Sequence, residues 1–415
     1  MRIAVFNQFY WPDQAATSQL LTDLTRQLAQ DGHEVIVICG APGYAGTDSE
    51  GRPPVTIRSS PSLPFSRGAV SRLASYFSYL TSAAWRTLML GRVDVVITMT
   101  TPPMLSLLGN LAKTLHGAHH VVWEMDMYPE IGIDVGMFQP RSLLTRTLLT
   151  IAHRSRNYAD TVWVLGDCMR QRILSAGCAP DRVQVHENWS YADLYSGPVA
   201  SSPDRLKLLY SGNLGLSHDV ATLQGGLVAL RHDPRILVQI AGGGSKRASL
   251  ETFVRDQHLS NVEFLPYCAK RDLGRVLSSA DIGLVTLQNG CEGAVVPSKV
   301  YGLMACGRPV LFIGPERATP ATVIRRFNCG WRVECGDVDG LTELLTLLAG
   351  RPDLVQEAGA RARAAFLEHY DCDRAVKRLS QSLEECVTEQ TPRVISSGHE
   401  QAERASALLS THSNR

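Results

Sequence analysis

Long apolar runs are missing from this chain. The most hydrophobic extended stretch, RLASYFSYLTSAAWRTLMLG, is uncharged only between Arg72 and Arg86, too short an interval to cross a bilayer. Charge imbalance is missing too. Lys and Arg number 41 against 40 Asp and Glu, a formal net charge of +1, which argues against a protein that holds nucleic acid by neutralising phosphates. The ten cysteines form no C-x-x-C pair, and several, such as Cys39 and Cys306, sit inside apolar runs. They read as reduced thiols used as small hydrophobes, not as a zinc or disulfide framework. No signal peptide is expected, because Met1 leads directly into the strand-like RIAVF. The expected location is the cytoplasm.

What is present is a repeated βαβ rhythm. The chain has 415 residues, 44% of them hydrophobic, enough for two or three well-cored domains. RIAVF is followed by the loop NQFYWPDQAATS, by Leu20, Leu24 and Leu28 at helical spacing, by Gly32, and by the strand HEVIVIC. VDVVITM, HHVVWEM, DTVWVL and RVQVHEN continue the series. After the Pro- and Ser-rich stretch 196–205 it restarts with LKLLYSG, ILVQIAGG, NVEFLP, DIGLVTL, RPVLFIG and GWRVECG. The expectation is α/β: two doubly wound, Rossmann-like domains over 1–195 and 206–370, facing across a cleft. A helix over 371–387 and a disordered tail over 388–415 follow.

Three stretches carry chemistry. YSGNLGLSHD and IAGGGSKRASLE are strand ends that turn on glycine into helices. Gly212, Gly215, Gly242 and Gly244 would let backbone approach a ligand, and Asn213 and His218 would add donors; the plain alternative is a pair of strand–helix turns. HHVVWEMDMYPEIGIDVG places Glu124, Asp126 and Glu130 just beyond a buried strand, where carboxylates can orient hydroxyls or face developing positive charge. The alternative is that Glu130 caps a helix or pairs with an arginine. In EGAVVPSKVYGLMACG, Pro297 suits a first helical turn and Ser298 a cap, so the helix start with Lys299 reads as an anion seat. Glu292, on the preceding loop, is free to hold hydroxyls.

Taken together, FYWPDQAATSQLLTDLTRQLAQDGHEVIVI, SGNLG, IAGGGSKRASLE, ADIGLVTL and VVPSKVYGLMACGRPVL resemble family 4 of the retaining glycosyltransferases. The similarity reaches residue 387, and DMYPEIGIDVG and PSK point to its bacterial exopolysaccharide, colanic-acid and O-antigen branch. The resemblance implies a GT-B fold. It also implies a nucleotide-sugar donor, UDP-linked or else GDP-linked, in the C-terminal domain. The acceptor, a glycan, lipid-linked or small molecule, would lie against the N-terminal domain near Asp13, Gln14, Thr17 and Glu130. It implies no cofactor and no metal, since lysine and helix termini stabilise the leaving diphosphate. It implies as well that the helix over 371–387 crosses back to the N-terminal domain.

The sequence departs from that pattern. Gly302 replaces the glutamate that would hold the ribose, and Asn213 and His218 replace an Arg and a Lys, so Lys299 should carry more of the diphosphate. Glu292 is expected to substitute for a second glutamate whose place falls at Ala294. Lys299, Glu124 and Asp126 are the expected catalytic groups. A nucleotide-sugar 2-epimerase of the same fold, a Rossmann dehydrogenase and a non-catalytic sugar-nucleotide-binding subunit are the rival readings. The stretch from Arg72 to Leu90 carries Leu73, Phe77, Leu80, Ala84 and Leu88 on one helical face, together with Tyr76, Tyr79 and Trp85. It reads either as a core helix or as a peripheral membrane contact.

Overall fold

The computed structural model describes residues 1–41, 51–65, 68–195, 197 and 205–390. Most of the stretch 196–205 and the tail beyond 390 lie outside the described residues. Met1–Ser380 form one compact unit, and the chain from Gln381 onward is a second.

The β-branched runs become two parallel sheets. The first contains β1 (Arg2–Phe6), β2 (Glu34–Cys39), β3 (Thr56–Ser59), β4 (Val95–Thr98), β5 (His119–Trp123), β6 (Thr161–Val164) and β7 (Val183–Val185), in the order 3-2-1-4-5-6-7. The second contains β8 (Leu206–Ser211), β9 (Ile236–Ala241), β10 (Val262–Leu265), β11 (Ile282–Thr286), β12 (Val310–Ile313) and β13 (Gly330–Val333), in the order 10-9-8-11-12-13. The central strands are buried on both faces, which is why they read as continuous apolar runs. Strand order reverses at β1/β4 and again at β8/β11, so each sheet opens a crevice at the carboxyl ends of those strands.

Helices cover both sheets. In the first half they are α1 (Ala16–Gln30), α2 (Ala69–Leu88), α3 (Ser106–His116), α4 (Glu130–Asp134), α5 (Leu143–Tyr158) and α6 (Asp167–Ser175). In the second they are α7 (Ala221–Ala229), α8 (Arg247–Asp256), α9 (Leu273–Ser278), α10 (Lys299–Ala305), α11 (Thr319–Phe327), α12 (Val338–Ala349), α13 (Pro352–His369) and α14 (Cys372–Gln390). At the start of α14, Cys372 N–H donates to Ser190 O at 2.9 Å; further along, Ser380 Oγ donates to Asp31 beside α1 at 2.6 Å. No helix among the described residues is long and apolar enough to cross a membrane.

The helix α2 inverts the expected amphipathic pattern. Its buried stripe is Ser75, Tyr79, Ala83 and Thr87, every one of them fully enclosed. Its outward stripe is Val70, Leu73, Phe77, Trp85, Leu88 and Met89, with Phe77 71% exposed. Of the face read from the sequence, only Leu80 and Ala84 lean on the core. Tyr79 is no interfacial aromatic either: its hydroxyl donates to Ile38 O at 2.8 Å inside the core.

Candidate active site

A cavity of about 420 Å³ lies between the carboxyl ends of the two sheets. Gln14, Ala16, Gln19 and Leu20 of the first half line one side. Gly212 and Asn213 after β8, Gly242 after β9, and Ser298, Lys299 and Gly302 of the α10 start line the other. Its cations are Lys270 and Lys299, and no Asp or Glu lines it. Such a site favours an anion.

Lys299 is held by what its neighbours lack. A Cβ added at Gly212, which has φ +123°, would come within 2.7 Å of Lys299 Cε. The absent side chain gives the lysine stem its channel. Nζ donates to Asn213 O at 3.4 Å and stands 5.0 Å from the centre of the Tyr210 ring. Desolvation pushes the ammonium down to about 8, so it is mostly charged at neutral pH, and an anionic ligand would reinforce that charge. Ser298, however, is no cap: its side chain accepts no hydrogen bond from the helix, and α10 begins only at Lys299, leaving Pro297 outside the first turn.

The glycine-rich turns hold each other. Gly212 N–H donates to Ala241 O at 2.9 Å, and Leu214 N–H donates to Gly243 O at 2.7 Å. A Cβ on Gly242 would lie 2.2 Å from Gly212 O, and one on Gly244 2.4 Å from Leu214 N. Gly242 therefore serves the packing of loop on loop as much as the cavity; Gly244 and Gly215 stand behind the wall. His218 also lies behind it. Its Nδ1 pairs with Thr286 O at 2.8 Å and its Nε2 stands 3.4 Å from Tyr210 Oη. Burial, with Lys299 nearby, pushes it down to about 3, so it is a neutral support for the β8 turn rather than a donor to ligand.

The three acids separate into two roles. Glu124 is 3% exposed and receives Arg156 Nε at 3.1 Å and Nη2 at 2.9 Å. Glu130 accepts from the same guanidinium and pairs with His153 Nε2 at 3.1 Å. Burial would raise Glu130, but the His153 and Arg156 bonds outweigh it and hold the carboxyl down at about 2. Both glutamates are thus clamped by Arg156, which itself is buried and also donates to Tyr128 O. Glu124 is therefore engaged by Arg156 while still lining a small cleft, and Glu130 is the arginine partner of the plain alternative. Asp126 differs. It is half-buried, its side chain shows no ion pair or hydrogen bond among the described residues, and burial and then the Glu124 charge push it up to about 6. It lines a small cleft with Thr100, Tyr128 and Arg156.

The acid loop is tied to the second sheet. Met127 N–H donates to Ala294 O at 2.8 Å, and Asp126 forms an antiparallel bridge with Val295. Glu292, expected to hold a donor hydroxyl, instead accepts from Gly290 N–H at 2.8 Å and faces an open groove of about 470 Å³ with Glu130, His153 and Arg172. Its loop turns it away from the cavity that holds Lys299. Of the expected acceptor side only Gln14 lines that cavity. Asp13 is buried and accepts from Ala15 N–H at 2.9 Å, and Thr17 is half-buried on the first turn of α1. Asn188, Trp189, Ser190 and Tyr191 also line the cavity. In the sequence Asn188 closes the strand-like RVQVHEN, and Trp189, Ser190 and Tyr191 carry no motif; the one available sign was their place just after the last strand of the first sheet. Among the described residues no group of three or more His, Cys, Asp or Glu is placed to hold a metal ion.

Comparison with known proteins agrees with this geometry. The Glycosyl transferase 4-like domain matches residues 17–189, and Glycosyl transferases group 1 matches residues 196–365. The putative colanic acid biosynthesis glycosyl transferase WcaI of Escherichia coli (strain K12) is 25% identical over 341 residues, 74% of this chain and 82% of that protein. Among solved structures, sucrose-phosphate synthase from Thermosynechococcus elongatus superposes with a TM-score of 0.75 at 15% identity, over 94% of this chain and 100% of that one. Anabaena HepE in complex with UDP gives 0.69 at 14% identity, over 93% and 100%. These likenesses show the fold: two doubly wound α/β sheets in the GT-B arrangement.

Proposed function

Because the chain belongs to the group 1, family 4-like glycosyltransferases of GT-B fold, we propose that it moves a sugar from a nucleoside-diphosphate donor, UDP-linked in the first instance, to a hydroxyl of a lipid-linked or polysaccharide precursor, with retention at the anomeric carbon. The observation that carries this is Lys299 in the wall of a cavity that no carboxylate lines. Breaking the bond between the anomeric carbon and the diphosphate oxygen moves negative charge onto that oxygen. A preorganised ammonium beside the Gly212–Asn213 turn stabilises the charge as it forms. The departing phosphate takes the acceptor proton on the same face, so no separate side-chain base is needed and no metal is required. HepE, solved with UDP and with UDP-glucose, supports the choice of UDP, and WcaI supports a polysaccharide precursor.

A thermal-shift panel of UDP, GDP, ADP and TDP tests the donor. A nucleotide that binds only the folded chain must raise its melting temperature, by about 2.7 kcal/mol of stability at a hundredfold excess over Kd. UDP is expected to give the largest shift, with GDP next. If none of the four shifts the transition, the nucleotide-sugar reading fails.

Asp126, which lines a separate cleft and not the Lys299 cavity, is assigned to orienting the acceptor. With its carboxyl pushed up to about 6, kcat should fall as pH drops through about 6. Asp126→Asn should lower kcat roughly a hundredfold and flatten that limb. The folded chain also binds this proton more tightly than the unfolded chain does. Stability should therefore fall as pH rises between 3.8 and about 6, a slope the Asn variant loses. An unchanged acid limb in Asp126→Asn would assign the titration elsewhere.

The outward stripe of α2 fits a peripheral contact with a membrane surface that presents the acceptor. The helix α3 packs against both α2 and α5, and α5 adds exposed Leu143 and Leu144 beside exposed Arg146. Apolar side chains with interleaved arginines suit an anionic interface. The chain should float with anionic liposomes at low salt, and Phe77→Ser/Trp85→Ser should stay in the soluble fraction while melting at the parent temperature. A parent chain that remains soluble sinks the membrane contact and points to a soluble acceptor.

A further inference from the structure

The segment between the two sheets runs along the cavity as Asn188, Trp189, Ser190 and Tyr191. It is fixed from two sides. Trp189 Nε1 and Tyr191 Oη both donate to Asp23 Oδ2, at 2.9 and 2.8 Å. Ser190 N–H donates to Tyr370 O at 3.1 Å, and Ser190 O accepts from Cys372 N–H at 2.9 Å. Asn188 lines the cavity beside them, 3% exposed, and its Oδ1 is shielded and has no hydrogen-bond partner among the described residues. A buried amide oxygen without a partner is costly, and a turn of the Asn188 side chain toward the cavity that the residue lines would let a ligand hydroxyl supply one.

Its neighbours say which part of a ligand. Ser190 Oγ stands 3.8 Å from the position where Gly302 would carry a Cβ. Gly302 is three residues after Lys299 on α10, on the same helix face and about one 5.4 Å turn along. A nucleoside diphosphate with its phosphates at Lys299 would bring its ribose to that place. A vicinal diol offers donors and acceptors together, and a carboxamide with a hydroxyl matches both. No acidic side chain lines the cavity to compete for the role.

We propose that the Asn188 carboxamide, with the Ser190 hydroxyl, binds the ribose hydroxyls of the nucleotide, so that the segment joining the two sheets reads the ribose in place of a group on α10. This rests on the reading of the cavity as a nucleoside-diphosphate site. It assigns to Asn188 and Ser190 the discrimination between ribonucleotides and their deoxy analogues, and it couples nucleotide binding to the segment that connects the two halves of the fold.

The test is calorimetric titration of the full chain with UDP and GDP and with their 2′,3′-dideoxy counterparts. The parent should prefer the ribonucleotide by about tenfold or more. Asn188→Leu and Ser190→Ala should each cut that preference roughly three- to tenfold, the double variant should abolish it, and affinity for the dideoxy analogue should not change. Because the amide oxygen has no protein partner to lose, the ligand-free Asn188→Leu chain should melt no lower than the parent. Variants that keep the parent preference, or that weaken both analogues equally, overturn the ribose role while leaving the nucleotide site standing. A parent that binds neither UDP nor GDP overturns both readings together.

Discussion

Lys299→Ala should lower turnover roughly 10²- to 10³-fold, the loss typical when one preorganised donor is removed from a developing anion. Affinity for the uncharged nucleoside should change little, because the ammonium acts on the diphosphate and not on the ribose or base. Folding should be unaffected: Lys299 is half-buried, and its protein contacts are a long bond to Asn213 O and the Tyr210 ring. Steady-state kinetics with a melting curve separates these terms. A variant that keeps more than about half of the parent turnover removes Lys299 from the chemistry. A variant that melts much earlier makes it a packing residue.

Arg156→Leu is expected to have the largest effect on stability, about 3–5 kcal/mol, as found when one partner of a buried ion pair is removed. The arginine holds Glu124 and Glu130 at once, and without it two carboxylates face each other in a nearly dry site. The sign of the Glu130 contribution should invert, while Glu124, already pushed upward by burial in the parent, should move further the same way. In the parent, Glu130 is held down at about 2, so its contribution is present above the ordinary glutamate pKa of 4.5 and fades as pH falls from there towards 2. In Arg156→Leu both carboxyls should move upward and take up protons on folding, so the variant should gain stability as pH is lowered towards 5. Urea unfolding at pH 5 and pH 8 measures this. Adding Glu124→Leu and Glu130→Gln should recover most of the loss. A single variant that unfolds at the parent urea midpoint would show that the triad contributes nothing to the fold.

The sheets were legible because strand positions buried on both faces must be apolar, as in VLFI and in EVIVIC after its exposed Glu34. The exception was β3, TIRS, an edge strand with no enclosed residue, whose pairing to β2 fixes it without an apolar run. The place of Lys299 in the cavity wall was legible because a lysine between a buried strand and an apolar helix has little structural reason to be there. The clamp on Glu124 was not legible because its partner Arg156 lies 32 residues away, on α5, where no local spacing announces it. Glu292 was misread because position along a loop does not give the direction in which the loop turns. The helix α2 defeated its period: apolar spacing marks a face but not whether that face turns inward, and here Ser75, Ala83 and Thr87 let the helix lie close to its neighbours while the larger side chains point out. Asn188 and Ser190 were missed because a cavity between two sheets is built from segments remote in sequence.

The interlocked turns after β8 and β9 constrain how this enzyme can be re-engineered. Gly212 makes room for the Lys299 stem, and Gly242 makes room for Gly212 O, so each position is filled by the emptiness of the next. A donor-specificity library that randomises either turn alone would return mostly misfolded clones. Their inactivity would then be misread as lost substrate contact. Randomising both turns together does not help, because a Cβ on Gly242 meets the backbone of Gly212 and both glycines have positive φ; diversity belongs instead at exposed Asn213, whose φ is not positive.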